Sequence, residues 1–110
     1  RYLNGNLRFI CGTLDALPAD QHFDYAVCHE VIEHIPEPTA FIEQLLSRVR
    51  RFAIISTPDA ALMPPHPLDY QNWTRDSLGE LLQSYECRWI TPYHDSKSLY
   101  VVVSNIKSTS

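Results

Sequence analysis

The sequence predicts an α/β fold: a mostly parallel sheet that ends in an antiparallel strand pair, with helices packed on it. Short apolar runs at residues 7–11, 25–28 and 52–57 set the first three strands. Helix-period stretches follow the second and third of these runs. Two further strands, at 87–93 and 98–104, are joined by HDSK, short enough for an antiparallel connection.

LRFIC (7–11) is apolar on alternate positions and stops at Gly12, so it reads as a strand. GTLDALPADQHFD (12–24) is a polar connection. YAVC (25–28) is continuously apolar, as a strand is when both its faces are covered. Pro38 suits a first helical turn. Phe41, Ile42, Leu45, Leu46 and Val49 then recur at helical spacing as one apolar stripe. Arg48, Arg50 and Arg51 read as favourable charge at that helix's C-terminus. FAIIST (52–57) is a second two-sided strand, stopped by Pro58. The proline-rich stretch 59–73 has no period and reads as a loop or lid. Thr74 reads as an N-cap, with Asp76 in the first turn of a helix using Leu78, Leu81, Leu82 and Tyr85.

With 110 residues, 45% of them apolar, the chain has the material of one domain, residues 1–110. Its abrupt start, RYLNGNLRFICG, reads as the start of a fragment. A net charge of −4 argues against a strongly nucleic-acid-binding surface. No apolar run approaches the roughly 18–20 residues that span a bilayer, and no charged-then-apolar stretch reads as a secretion leader. Cys11, Cys28 and Cys87 are odd in number and form no CxxC pair, which suits reduced thiols in the cytoplasm.

The densest chemistry is CHEVIEHIPEP (28–38), directly behind the apolar run at 25–28. Ligands of parallel sheets bind beyond the carboxyl ends of the strands. GTLDALP, CHEVIEHIPEP and the proline-rich loop all begin at such ends, so three connections face one crevice. FDYAVCHEVIEHIPEPTAFIEQLL followed by AIISTPD resembles the second half of class I S-adenosylmethionine-dependent methyltransferases, and FICGTLDALPADQHFD resembles their third strand and its connection. The resemblance covers roughly residues 7–104 and is most specific over 23–59. It implies a partial Rossmann-like methyltransferase sheet, S-adenosylmethionine as methyl donor, and transfer to an oxygen or nitrogen of a small molecule. It places Thr13 and Leu14 against the adenine, Cys28 and His29 beside the methionine portion, and Glu30, Glu33 and His34 on the acceptor side. The family's Gly-rich turn has no counterpart here: the glycines are Gly5, Gly12 and Gly79, with no G-x-G. The expectation is therefore an acceptor-side half, truncated or degenerate, whose sheet is completed by a second copy or a partner chain.

Three readings of the acidic and imidazole cluster stay open. On a helix Glu30, Glu33 and His34 would share one face and, with His66 from the loop, offer four ligands to a divalent metal. Small-RNA 2′-O-methyltransferases of the Hen1 type use two glutamates and two histidines in this way, and NWTRDSL is faintly similar to their sequence, although His66 lies in a different register from Trp73. Alternatively His34 is a general base oriented by Glu33 or Glu30. In the third reading Glu30 and His34 only brace the crevice by hydrogen bonds, in an enzyme that works by positioning or in a non-catalytic binding or assembly module.

Overall fold

The computed structural model describes residues 20–64, 66–91 and 97–107, so the expected strand at 7–11 lies outside the described residues. The described strands β1 (Phe23–His29), β2 (Val49–Pro58), β3 (Tyr85–Ile90) and β4 (Ser98–Lys107) form one sheet in the order β1-β2-β4-β3. β1 and β2 pair in parallel, and β4 runs antiparallel to both β2 and β3. Three strands thus point one way, and the last one inserts between β2 and β3 against them. The α/β architecture and its C-terminal antiparallel pair match the sequence expectation.

The helices are α1 (Pro38–Ser47) and α2 (Arg75–Leu81). Both crossovers, β1–α1–β2 and β2–α2–β3, join strands of one direction and step the same way across the sheet. Right-handed crossovers then put both helices on the same face. Packing agrees: Ile42, Leu45 and Leu46 of α1 and Leu78 of α2 share one buried cluster with Cys28, Ala53, Ile55, Val101 and Val103. The opposite face carries Tyr25 and Val27 beside Phe52 and Ile54, with the Tyr25 and Phe52 rings 4.6 Å apart. Val27 is 70% exposed there and Tyr25 52%. The apolar run at 25–28 predicts cover on both faces; among the described residues, the helices cover one.

Local signals set the element starts better than their ends. Pro38 occupies the first turn of α1. Thr74 caps α2: its Oγ1 accepts from the Ser77 N–H at 3.2 Å, and Ser77 Oγ accepts from the Thr74 N–H at 2.9 Å. At the far end, α1 stops at Ser47 with Arg48 as C-cap, and Val49 opens β2 instead of closing the helical stripe. A buried β-branched residue paired with Phe23 favours the strand. Arg50 and Arg51 consequently lie in β2, not at the helix terminus, and Arg50 sits 3.5 Å from Asp24. Tyr85 likewise joins β3, because pairing with β4 claims it. β3 therefore covers 85–90, and Tyr93 and His94 lie outside the described residues. The guanidinium of Arg75 stacks 4.8 Å over the Trp89 ring, tying α2 to β3. No helix among the described residues is long and apolar enough to cross a membrane.

Ile55 is fully buried where β1, β2, β4 and both helices meet. Ile55→Ala is expected to cost about 2–5 kcal/mol in urea unfolding, against about 1 kcal/mol for removing the cap with Thr74→Ala. Equal costs would contradict this assignment of the core.

Candidate functional site

Parallel pairing sets the carboxyl ends of β1 and β2 side by side, with His29 opposite Ser56. His29 Nδ1 lies 2.7 Å from Ser56 Oγ, and the Glu30 N–H donates to the Ser56 carbonyl at 2.8 Å. Glu30 leaves the strand with φ of 55°, in the left-handed region. A side chain there costs roughly 1–2 kcal/mol, strain that persists where the surroundings enforce it. Glu30 is exposed to solvent. A single 3-10 turn, Ile32–His34, follows. Ile32 is fully buried and anchors the turn, Glu33 is buried beside it, and the His34 side chain is half exposed.

Glu33 is the junction of the site. Thr57 Oγ1, buried at the end of β2, donates to Glu33 Oε1 at 2.9 Å. Glu33 Oε2 lies 3.6 Å from His34 Nε2, while Asp69 Oδ1 lies 3.4 Å from His34 Nδ1. The imidazole is thus flanked by a carboxylate at each nitrogen. At 3.4 and 3.6 Å these are close electrostatic contacts, longer than hydrogen bonds. The main chain closes the arrangement. The N–H groups of Tyr70 and Gln71 donate to the Glu33 carbonyl at 2.9 and 3.3 Å, and Ala60 N–H donates to the Trp73 carbonyl at 2.8 Å. The proline-rich loop is therefore strapped to the 3-10 turn at Glu33 and tied to itself at its two ends.

Several sequence expectations change in detail. Glu30, Glu33 and His34 do not share a helical face, because Glu30 precedes the 3-10 turn in a left-handed conformation. His66 is exposed, and its Nδ1 accepts from the Leu68 N–H at 3.1 Å in a local turn, away from a four-ligand set. Among the described residues no group of three or more His, Cys, Asp or Glu side chains is arranged to hold a metal ion. Thr13 and Leu14 lie outside the described residues. Cys28 faces the helix-covered core, and burial pushes its thiol up to about 11. His29 is exposed at the end of β1. Asp69, Thr57 and Ser56 are the contributors that sequence reading missed. Asp69 sits in an aperiodic loop, and the two hydroxyls lie in a strand read as apolar, so only the fold shows their partners.

A methyltransferase-domain profile matches residues 8–105. The chain belongs to the methyltransferase-domain family. Over 48 residues it is 35% identical to a mitochondrial ubiquinone biosynthesis O-methyltransferase of Schizosaccharomyces pombe, covering 44% of this chain and 18% of that protein. Its fold is similar to the magnesium protoporphyrin IX methyltransferase of Synechocystis PCC 6803 crystallised with bound S-adenosylhomocysteine, at TM-score 0.62 and 18% identity, over 87% of this chain and 50% of that one. It is also similar to a chain in the Pnkp1/Rnl/Hen1 RNA repair complex, at TM-score 0.58 and 21% identity, over 77% of this chain and 23% of that one. The family member described here thus spans half or less of the length of these relatives.

Two outcomes check the site's local physics. Burial favours the neutral Cys28 thiol, so the folded state holds that proton more tightly than the unfolded chain does. The stability present below the unfolded pKa is then lost as pH rises from about 9 to about 11. Native iodoacetamide labelling at pH 8 should accordingly modify the exposed Cys87 and spare Cys28, with Cys28 reacting after unfolding. At Glu30, relief of the left-handed strain offsets the entropy of a glycine, so Glu30→Gly should shift stability by less than about 1 kcal/mol. A β-branched Glu30→Val should lower it by more than Glu30→Gly does, as read by Tm.

Proposed function

We propose that this chain is the acceptor-side part of an S-adenosylmethionine-dependent methyltransferase that methylates an oxygen or nitrogen of a small molecule, with His34 as general base. One observation carries the reading: a half-exposed imidazole flanked by two carboxylates at the mouth of a parallel strand pair, in a chain of this family. Glu33, held by Thr57, and Asp69, held by the strapped loop, flank the ring that would take the proton from the acceptor. S-adenosylmethionine would supply the methyl: the acceptor lone pair forms the new bond while the S–CH3 bond breaks and its electron pair stays on sulfur.

The residues present fit such a donor on one side. Thr13 and Leu14 would meet the adenine, and the end of β1 at Cys28 and His29 the methionine portion. The exposed Glu30 carboxylate offers acceptors to a cationic ligand. With no G-x-G run in its 110 residues, the chain by itself is expected to bind the cosubstrate weakly. The curated relative is a ubiquinone-pathway O-methyltransferase and the structural neighbour acts on magnesium protoporphyrin IX, which supports a small-molecule acceptor. The carboxylates at Glu30, Glu33 and Asp69 and the net charge of −4 weigh against RNA, despite the fold shared with the RNA repair complex. The free thiols of Cys28 and Cys87 suit a reducing compartment such as the cytoplasm.

Replacing the base should lower transfer without lowering donor affinity. In the intact enzyme, His34→Gln is expected to reduce kcat/KM by about 10²–10⁴-fold at neutral pH, while calorimetric affinity for S-adenosylhomocysteine stays within about twofold. Retained transfer in His34→Gln would remove the base assignment. Tight S-adenosylhomocysteine binding by the 110-residue chain alone would show that it needs no other cofactor-binding half.

A further inference from the structure

The proline-rich loop presents apolar side chains that neither the core nor the His34 site uses. Of the seven large apolar side chains exposed among the described residues, four lie within 62–70: Leu62, Met63, Leu68 and Tyr70. Leu68 is 72% exposed, Tyr70 64% and Leu62 59%. Met63, Pro64 and Asp69 line one narrow crevice, so the two halves of the loop meet there. Charge is turned away from this surface. The Asp69 carboxylate lies against His34, and Asp59 Oδ1 accepts from the Ala61 N–H at 3.0 Å. Residues 60–68 contain no Asp, Glu, Lys or Arg.

The backbone decides what can cover such a surface. The N–H groups of residues 60–63 and 68–71 all donate to acceptors of the loop itself or to the Glu33 carbonyl. Pro64, Pro65 and Pro67 have no N–H. A partner chain that pairs with a loop as an added strand needs free main-chain donors, and here they are engaged. A lipid interface needs the reverse, because hydrocarbon offers nothing to an unpaired N–H. Tyr70 suits that boundary, with an apolar ring and a polar hydroxyl. The net charge of −4 and the absence of Lys and Arg from 60–68 give no attraction to anionic headgroups.

We propose that the proline-rich loop docks this protein on a lipid surface of zwitterionic headgroups, through Leu62, Met63, Leu68 and Tyr70. The bonds from Tyr70 and Gln71 to Glu33, and from Ala60 to Trp73, hold the loop in shape, so docking orders little that is not already ordered. Apolar burial on this scale gives reversible attachment. Asp69 lies between Leu68 and Tyr70 in the chain and flanks His34, so a docked loop holds the imidazole beside the lipid surface. Docking goes beyond the methyltransferase reading and does not rest on it, since it needs neither methyl donor nor acceptor.

Co-sedimentation of the intact protein with phosphatidylcholine vesicles tests this. Saturable binding is expected, little changed between about 50 and about 500 mM NaCl and no stronger on vesicles containing phosphatidylglycerol. The double variant Leu62→Ser/Leu68→Ser should lower the partition coefficient at least about tenfold. Ile90→Ser, which removes an exposed apolar side chain at the end of β3, should change it less than about twofold. Brominated acyl chains should quench Leu68→Trp fluorescence beyond that of the parent protein, a readout that does not depend on the serine variants folding. No saturable binding, or binding that salt abolishes, overturns the proposal. An equal loss in Ile90→Ser, or no added quenching in Leu68→Trp, overturns the loop's part in it. A dimer that Leu62→Ser/Leu68→Ser converts to monomer, with vesicle binding unchanged, assigns this surface to a second copy and overturns lipid docking.

Discussion

The site depends on a buried carboxylate that cannot be left unsatisfied. Glu33 lies at 4% exposure, where an unpaired charge would be far more costly than the hydrogen bond it forms with Thr57. That requirement couples the end of β2 to the 3-10 turn. The backbone of the same residue holds the proline-rich loop through Tyr70 and Gln71. Asp69 is thereby brought to His34 on the side opposite Glu33. One residue thus sets the position of the imidazole, the second carboxylate and the loop that walls the crevice.

The sheet supplies the platform for this junction. In-register pairing of β1 with β2 aligns His29 with Ser56 and leaves both strand ends at one level. β4 inserts antiparallel beside β2, so its first residues return to the same end, where Lys97 accepts from the Asp59 N–H at 2.9 Å. The sequence-distant ends of β2 and β4 therefore support the loop from beneath. Because both crossovers step in one direction, α1 and α2 cover one sheet face, and the face with Val27 and Tyr25 stays open to solvent.

Much of this was legible from local chemistry. Apolar runs marked β1, β2 and β4, the Phe41–Leu46 stripe marked α1, and Thr74 announced α2 with its cap. Helix ends were misread at Val49 and Tyr85, because strand pairing outweighed one more helical position, and pairing is not a local property. The site was legible as a location: a charged motif behind a buried strand belongs at a strand's carboxyl end. Its internal geometry was not, since a helical reading of residues 30–34 put Glu30 with Glu33 and missed the left-handed break between them.

The sequence alone determined the α/β class, the likeness to the methyltransferase family and the grouping of His34 with Glu30 and Glu33 in one motif, because periodicity, caps and near neighbours are short-range properties. Only the tertiary structure decided that Thr57 holds Glu33, that Asp69 completes the imidazole's surroundings, and that Trp73 packs into the core at the end of the proline-rich loop. The Thr57–Glu33 and Asp69–His34 contacts join residues 24 and 35 positions apart, and nothing in the spacing of the chain encodes which of them will meet. They follow from strand register and from the need to satisfy buried polar groups, which exist only once the core has formed.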